Sequence, residues 1–304
     1  MSNAALFDRF RRPRRPLGDQ RRTLRYALGD IHLDGLDEDA TRRIEARWGP
    51  FLVTDDDEFR ASSTVVRVTV VEGPGWLPVA SPGEIYRLER VEHRGSALVV
   101  SYHYAVRFPD AEEEGDIEVA VVRTEREPIE QMLDNIARLV VARHTMDRGG
   151  LAIHGAGIVR DDQAFVFAGP SRAGKSTVTT LSRPSRSLGD DFAVILPSGD
   201  GATWWTCALP FDNHPIVETP VAPGLLPLRG VWRLFQAGAG ESTRVETPNP
   251  IVATTSLMAC AAFPAAISDR GESLLGAAGR YIAEGRFEHL TFTPDPEFWT
   301  LIER

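Results

Sequence analysis

Residues Gly169-Pro170-Ser171-Arg172-Ala173-Gly174-Lys175-Ser176-Thr177 match the spacing G-x-x-x-x-G-K-[ST]. No other string in the chain constrains the fold as much, because it requires a strand before it and a helix after it. Its glycines permit φ > 0 and let successive N–H groups turn inward toward phosphate oxygens. The helix that follows adds the positive end of its dipole. The flanks are suitable. Ala164-Phe-Val-Phe-Ala168 is an apolar run of strand formers. A helix opening at Ser176 can run to Ser182 before Pro184 stops it.

The lysine usage points to the same place. Lysine and arginine together number 34, and Lys175 is the one lysine, which leaves 33 arginines. A compact ammonium enters a ring of backbone amides around a phosphate, where a planar guanidinium does not fit. All nine residues from Gly169 to Thr177 are therefore candidate nucleotide contacts. Lys175 would reach the β- and γ-phosphates of ATP, and the Ser176 hydroxyl is a candidate Mg²⁺ ligand.

Two adjacent carboxylates, Asp190 and Asp191, stand before the apolar run Phe192–Leu196. On extended backbone neighbouring side chains point in opposite directions, so the two cannot share a job. One is expected to accept the proton of an attacking hydroxyl and the other to be linked to Mg²⁺; Asp191 joins Ser176 as the candidate metal ligand. Alone, an Asp-Asp pair is more often a solvated turn. His154, just before Gly155, is a further candidate, able to hydrogen-bond a transferring oxygen or orient an aspartate, although a lone histidine is more often structural.

Composition bounds the rest. With 304 residues the chain has room for two domains, and a hydrophobic content of 42% supports ordinary cores. A net charge of −9 opposes general binding to nucleic acid. Cys207 and Cys260 show neither metal spacing nor a disulfide framework, so a reducing, cytoplasmic setting is expected. No apolar stretch reaches the length of a membrane span. Residues 1–25, with eight arginines and Pro13 and Pro16, read as a basic, disordered tail.

Residues 26–127 read as a mainly-β domain, expected to recognise the acceptor or a partner. Its elements are a helix over Asp37–Trp48 and strands at Thr64–Val71, Tyr86–Val91, Ala97–Phe108 and Ile117–Thr124. An acidic loop spans Asp110–Asp116. Residues 128–304 read as an α/β domain. It opens with a helix over Ile129–Met146 and continues through a hairpin from Leu151 into the glycine-rich loop. Strands are expected at Ala202–Cys207, Arg229–Phe235 and Glu288–Phe292. Helices are expected at Asn249–Ala262 and Gly271–Arg286.

The string His154-Gly155, Gly169-x4-Gly174-Lys175-Ser176, Asp190-Asp191 resembles the catalytic domain of the HPr kinase/phosphorylase family, whose fold is shared with ATP-dependent phosphoenolpyruvate carboxykinase. The resemblance covers residues 128–304 and is most specific over 151–197. It implies an α/β (α+β) fold with a mixed sheet. It also implies an ATP- and Mg²⁺-dependent kinase with Lys175, Asp190, Asp191 and His154 as catalytic residues, and homo-oligomers are possible in such a family. Leu228-Arg229-Gly230 echoes a family segment whose glutamate is replaced here by Pro227, and Arg270 is the candidate for a further family arginine. The runs Leu33–Leu36, Trp48–Phe51 and Phe292–Trp299 resemble stand-alone relatives of that family, many of them linked to peptide-modification clusters. The acceptor implied is a serine hydroxyl of a peptide or protein. Phosphorylation of a small-molecule hydroxyl and a non-catalytic nucleotide-binding regulator are the alternatives. Carboxykinase chemistry is disfavoured because the chain has no second lysine, and a guanine-reading Asn-Lys-x-Asp motif is ruled out for the same reason.

Overall fold

The computed structural model describes residues 1–53, 63–78, 87–109, 115–199, 203–211, 224–263 and 271–304. The fold is mixed α/β, with two mixed sheets and seven α-helices among the described residues. The chain divides into two compact units, with the main division after Val140.

The first unit contains a nine-stranded sheet. Its strands are β1 (Arg15–Pro16), β2 (Gln20–Tyr26), β3 (Gly29–Leu36), β4 (Leu52–Val53), β5 (Ser63–Val70), β6 (Glu89–His93), β7 (Ser96–Val100), β8 (Tyr104–Arg107) and β9 (Ile117–Val121). The strand order is β4-β2-β3-β5-β9-β8-β7-β6, with β1 beside β5, and β3, β5 and β9 run parallel. The expected strand over 97–108 is two strands, because the chain turns back at Ser101–His103 and pairs Val100 with Ala105. Of the predicted segments, residues 86, 110–114 and 202 lie outside the described residues.

The disordered tail is corrected by the structure. Residues Asn3–Arg11 form α1, capped by Ser2, whose hydroxyl accepts from the Ala5 N–H at 3.3 Å. Leu6, Phe7 and Phe10 recur at helical spacing and enter a core with Trp76, Leu98 and Val100. Arginines that read as solvated instead act as anchors. Arg9 lies 4.5 Å over the Trp76 ring and donates to the Pro74 carbonyl at 2.6 Å. Arg14 lies 4.0 Å over Phe10 and pairs with Glu118 at 2.6 Å.

Helix α2 (Glu38–Trp48) begins where predicted, with Asp37 as its cap. Its C-terminal end is tied to α3 (Ile129–Asp147). Arg47 grips Asp134 with two hydrogen bonds, at 2.9 and 3.1 Å, and the Trp48 indole N–H donates to the same carboxylate at 3.0 Å. These bonds place the start of α3 with the first unit. The division therefore falls inside this helix, after the 125–128 boundary suggested by the sequence pattern.

Farther along α3, burial and then the guanidiniums of Arg148 and Arg143 push the His144 imidazole down to about 4. An unfolded histidine takes up its proton near pH 6.5, well above that value. Between the two values the unfolded chain binds more protons, so stability falls as pH drops through this window, by at most about 3 kcal/mol. His144→Gln is expected to flatten the stability–pH curve from pH 6.5 to 4 in urea titrations. Equal slopes in the two proteins would count against this assignment.

The second unit contains β10 (Leu151–Ile153), β11 (Gly155–Arg160), β12 (Gln163–Ala168), β13 (Arg186–Gly189), β14 (Ala193–Pro197), β15 (Trp204–Cys207), β16 (Leu225–Gln236), β17 (Arg244–Glu246) and β18 (Phe287–Phe292). The order is β10-β14-β15-β16-β12-β11-β13, with β18 also on β16 and β17 on β18. Strands β12, β16 and β18 are parallel. The remaining helices are α4 (Lys175–Leu181), α5 (Pro250–Met258), α6 (Gly271–Glu284) and α7 (Phe298–Ile302). Phe165 and Phe167 on β12 pack against Trp232, Phe298 and Trp299, which fixes β12 from one face. The run Leu151–Arg160 breaks at His154, because β10 pairs with β14 and β11 pairs with β12 and β13. No helix among the described residues is long and apolar enough to cross a membrane.

Candidate functional site

The glycine-rich loop joins β12 to α4, a strand–loop–helix unit. Two of its residues take left-handed backbone, Arg172 (φ 68°) and Gly174 (φ 108°). At Gly174 the glycine is required twice over. The φ is unfavourable for an L side chain, and a Cβ there would come within 2.6 Å of Phe292 Cζ. Gln236, at the end of the neighbouring strand β16, holds the Arg172 residue by donating to its carbonyl at 2.7 Å. Gly174→Ala is therefore expected to lower stability by about 1–3 kcal/mol. Calorimetric melting would check this, and a variant with wild-type melting would overturn it.

Lys175, at the first position of α4, is 8% exposed. Its Nζ donates to the carbonyls of Gly169 at 3.0 Å and Pro170 at 3.2 Å, and Asp191 Oδ1 lies 3.6 Å away. The hydroxyls of Thr179, Thr180 and Ser182 bond back to the carbonyls of Lys175, Ser176 and Val178. Ser176 and Thr177 are exposed in the first turn. The N–H groups of a helix's first turn have no intrahelical partners and face a ligand readily.

The main chain of His154 links the remaining parts. Its carbonyl accepts from the Gly169 N–H at 3.0 Å, and its N–H donates to the Cys260 carbonyl at 2.7 Å. The next residue, Gly155, donates to the Asp191 carbonyl at 3.3 Å. The aspartates lie in the link between β13 and β14, ahead of the apolar run. Asp190 is buried, whereas the Asp191 side chain is 26% exposed. The structure thus brings Gly169, Lys175, His154 and Asp191 together. Arg270 lies outside the described residues.

Other groups converge here that sequence reasoning missed. Arg233 on β16 is in register with Ala168, the last residue of β12, and with His289 on β18. The Cys260 thiol is raised by burial, an effect opposed by the nearby charges of Arg233 and Lys175. Burial first, and Arg233 second, hold the His289 imidazole below its ordinary value, while Glu246 opposes them. No local motif marks these residues, because only strand pairing makes them neighbours.

The family described as SynChlorMet cassette protein ScmC matches residues 120–211, from the end of β9 through the loop and both aspartates. This finding overturns the expected membership of the HPr kinase family. A loop spacing and an Asp-Asp pair do not by themselves fix a family, because similar local patterns recur on unrelated folds. The segment around Arg229 lies within β16, where Pro227 sits in register with Trp205 in the sheet. Among curated proteins nothing matches the chain.

Proposed function

We propose that the second unit is a phosphate-loop phosphotransferase domain. It binds ATP with Mg²⁺ and passes the terminal phosphate to a hydroxyl, with a serine of a peptide or protein as the acceptor. The observation that carries this reading is the buried Lys175 at the loop, 3.6 Å from the Asp191 carboxylate. A point charge for phosphate and a candidate proton acceptor or metal ligand thereby share one small volume.

The residues divide the work as follows. The loop N–H groups and Lys175 hold the phosphates. Ser176 and Asp191 are an oxygen donor set suited to Mg²⁺, which keeps part of its water shell and supplies charge neutralisation when bound. A carboxylate of the Asp190–Asp191 pair accepts the hydroxyl proton. The acceptor oxygen then bonds to the γ-phosphorus while the bond to the β-phosphate oxygen breaks, and ADP leaves. Positioning and charge stabilisation account for most of the acceleration in such a transfer.

Cys207 and Cys260 are both free and buried, which suits a reducing, cytoplasmic setting. The first unit is assigned to acceptor recognition. The test is transfer of label from [γ-³²P]ATP to a panel of serine peptides and small alcohols. Transfer that disappears in Lys175→Ala supports the reading, and transfer that persists there ends it. The class of labelled product separates a peptide acceptor from a small-molecule one.

A further inference from the structure

Among the described residues, Arg233 forms no ion pair with a carboxylate, although most arginines of similar burial here do. Arg25 pairs with Asp30 at 2.8 Å, Arg160 with Glu303 at 2.8 Å and Arg286 with Glu288 at 2.9 Å. Arg233 is half-buried on β16, the central strand of the parallel set. Its neighbour Trp232 faces the aromatic core, so the pleat directs Arg233 to the opposite face. There one guanidinium nitrogen, Nη1, donates to the Ser256 carbonyl at 3.2 Å, and the group lies 5.2 Å over the Phe235 ring. Its Nε is buried with no hydrogen-bond partner among the described residues. A buried guanidinium N–H without an acceptor is costly, and an anion relieves that cost.

Ser256 connects this cation to a second group. Its neighbours Thr254 and Thr255 turn their hydroxyls back onto the α5 carbonyls of Pro250 and Ile251. The Ser256 hydroxyl instead lies 2.9 Å from His289 Nε2. Ser256 therefore fixes Arg233 through its carbonyl and His289 through its hydroxyl. Arg233 is also in register with Ala168, the residue just before Gly169, which places the cluster beside the loop.

We propose that Arg233 and His289, held in place by Ser256, form an oxyanion subsite that takes a phosphate group. The phosphate is either the terminal one of the bound nucleotide or an anionic group on the acceptor. The first case rests on the nucleotide reading above, whereas phosphate binding at the subsite does not.

The test follows the His289 imidazole by ¹⁵N NMR while inorganic phosphate, ADP and a non-hydrolysable ATP analogue are titrated in turn. Wild type, Arg233→Ala and Arg233→Gln are compared, the last retaining a donor for the Ser256 carbonyl so that at least one variant folds. Saturable perturbation by phosphate in the wild type, lost in the variants, supports the subsite. If affinity for the ATP analogue falls at least tenfold while ADP stays within twofold, the occupant is the nucleotide's terminal phosphate. If both nucleotides stay within twofold, the occupant is the acceptor's anionic group. His289 signals that ignore phosphate and ATP analogue alike, or respond equally in the variants, overturn the proposal. A wild type that binds neither nucleotide but still responds to phosphate keeps the subsite and removes the nucleotide reading.

Discussion

Asp190→Asn and Asp191→Asn are expected to separate two roles that the sequence leaves merged. The variant that removes the proton acceptor should lower the rate of phosphate transfer about 1000-fold, within the range for loss of a general base. Its nucleotide affinity should change little. The variant that removes the metal-linked carboxylate should instead raise the Mg²⁺ concentration needed for half-maximal transfer. On the proposed reading, the metal role falls to Asp191, which is the more exposed and lies 3.6 Å from Lys175, and the proton to the buried Asp190. Rates measured across a Mg²⁺ series would decide the matter. Two variants that both transfer phosphate at the wild-type rate would remove the pair from the chemistry.

The largest effect on stability is expected at Asp134. The residue is 3% exposed, and its carboxylate accepts from three donors and forms an ion pair with a second guanidinium. Arg47 binds it at both oxygens, the Trp48 indole N–H donates at 3.0 Å, and Arg138 Nε lies 3.1 Å away. Asp134→Ala would remove this carboxylate from the buried Arg138 and the partly buried Arg47. Breaking a buried pair in this way typically costs about 3–5 kcal/mol. Urea titration of the variant should show a loss of that size, and a loss below about 1 kcal/mol would mean that the network contributes little.

The sequence exposed those parts of the fold whose signals are local. The spacing of Gly169, Gly174 and Lys175 after the apolar run Ala164–Ala168 was enough to place a strand, a loop and a helix. The inward spacing of Ile44 and Trp48 revealed α2, and the stripe from Ile129 revealed α3. Helix α1 was hidden because arginines flank Leu6, Phe7 and Phe10, and their stacking over aromatic rings has no signature in composition. The break at His154 was hidden for another reason: nothing local tells β10 to pair with β14 while β11 pairs with β12.

The candidate site divides in the same way. Lys175, Ser176 and the aspartates lie within a short stretch of chain and were found from spacing. Arg233, Ser256 and His289 come from β16, α5 and β18, and tertiary packing alone makes them neighbours. The expected family was not legible from the loop spacing, because a short local pattern recurs on unrelated folds.

On the proposed reading, the loop around Lys175 grips a nucleoside triphosphate. Equilibrium dialysis with Mg²⁺ and a labelled non-hydrolysable ATP analogue is the decisive experiment. Binding is expected to saturate at one site per chain and to weaken about 100-fold or more in both Lys175→Ala and Lys175→Arg, since a guanidinium does not replace the ammonium inside the amide ring. Wild-type protein that binds no analogue at millimolar concentration, or variants that bind it as tightly as the wild type, would contradict it.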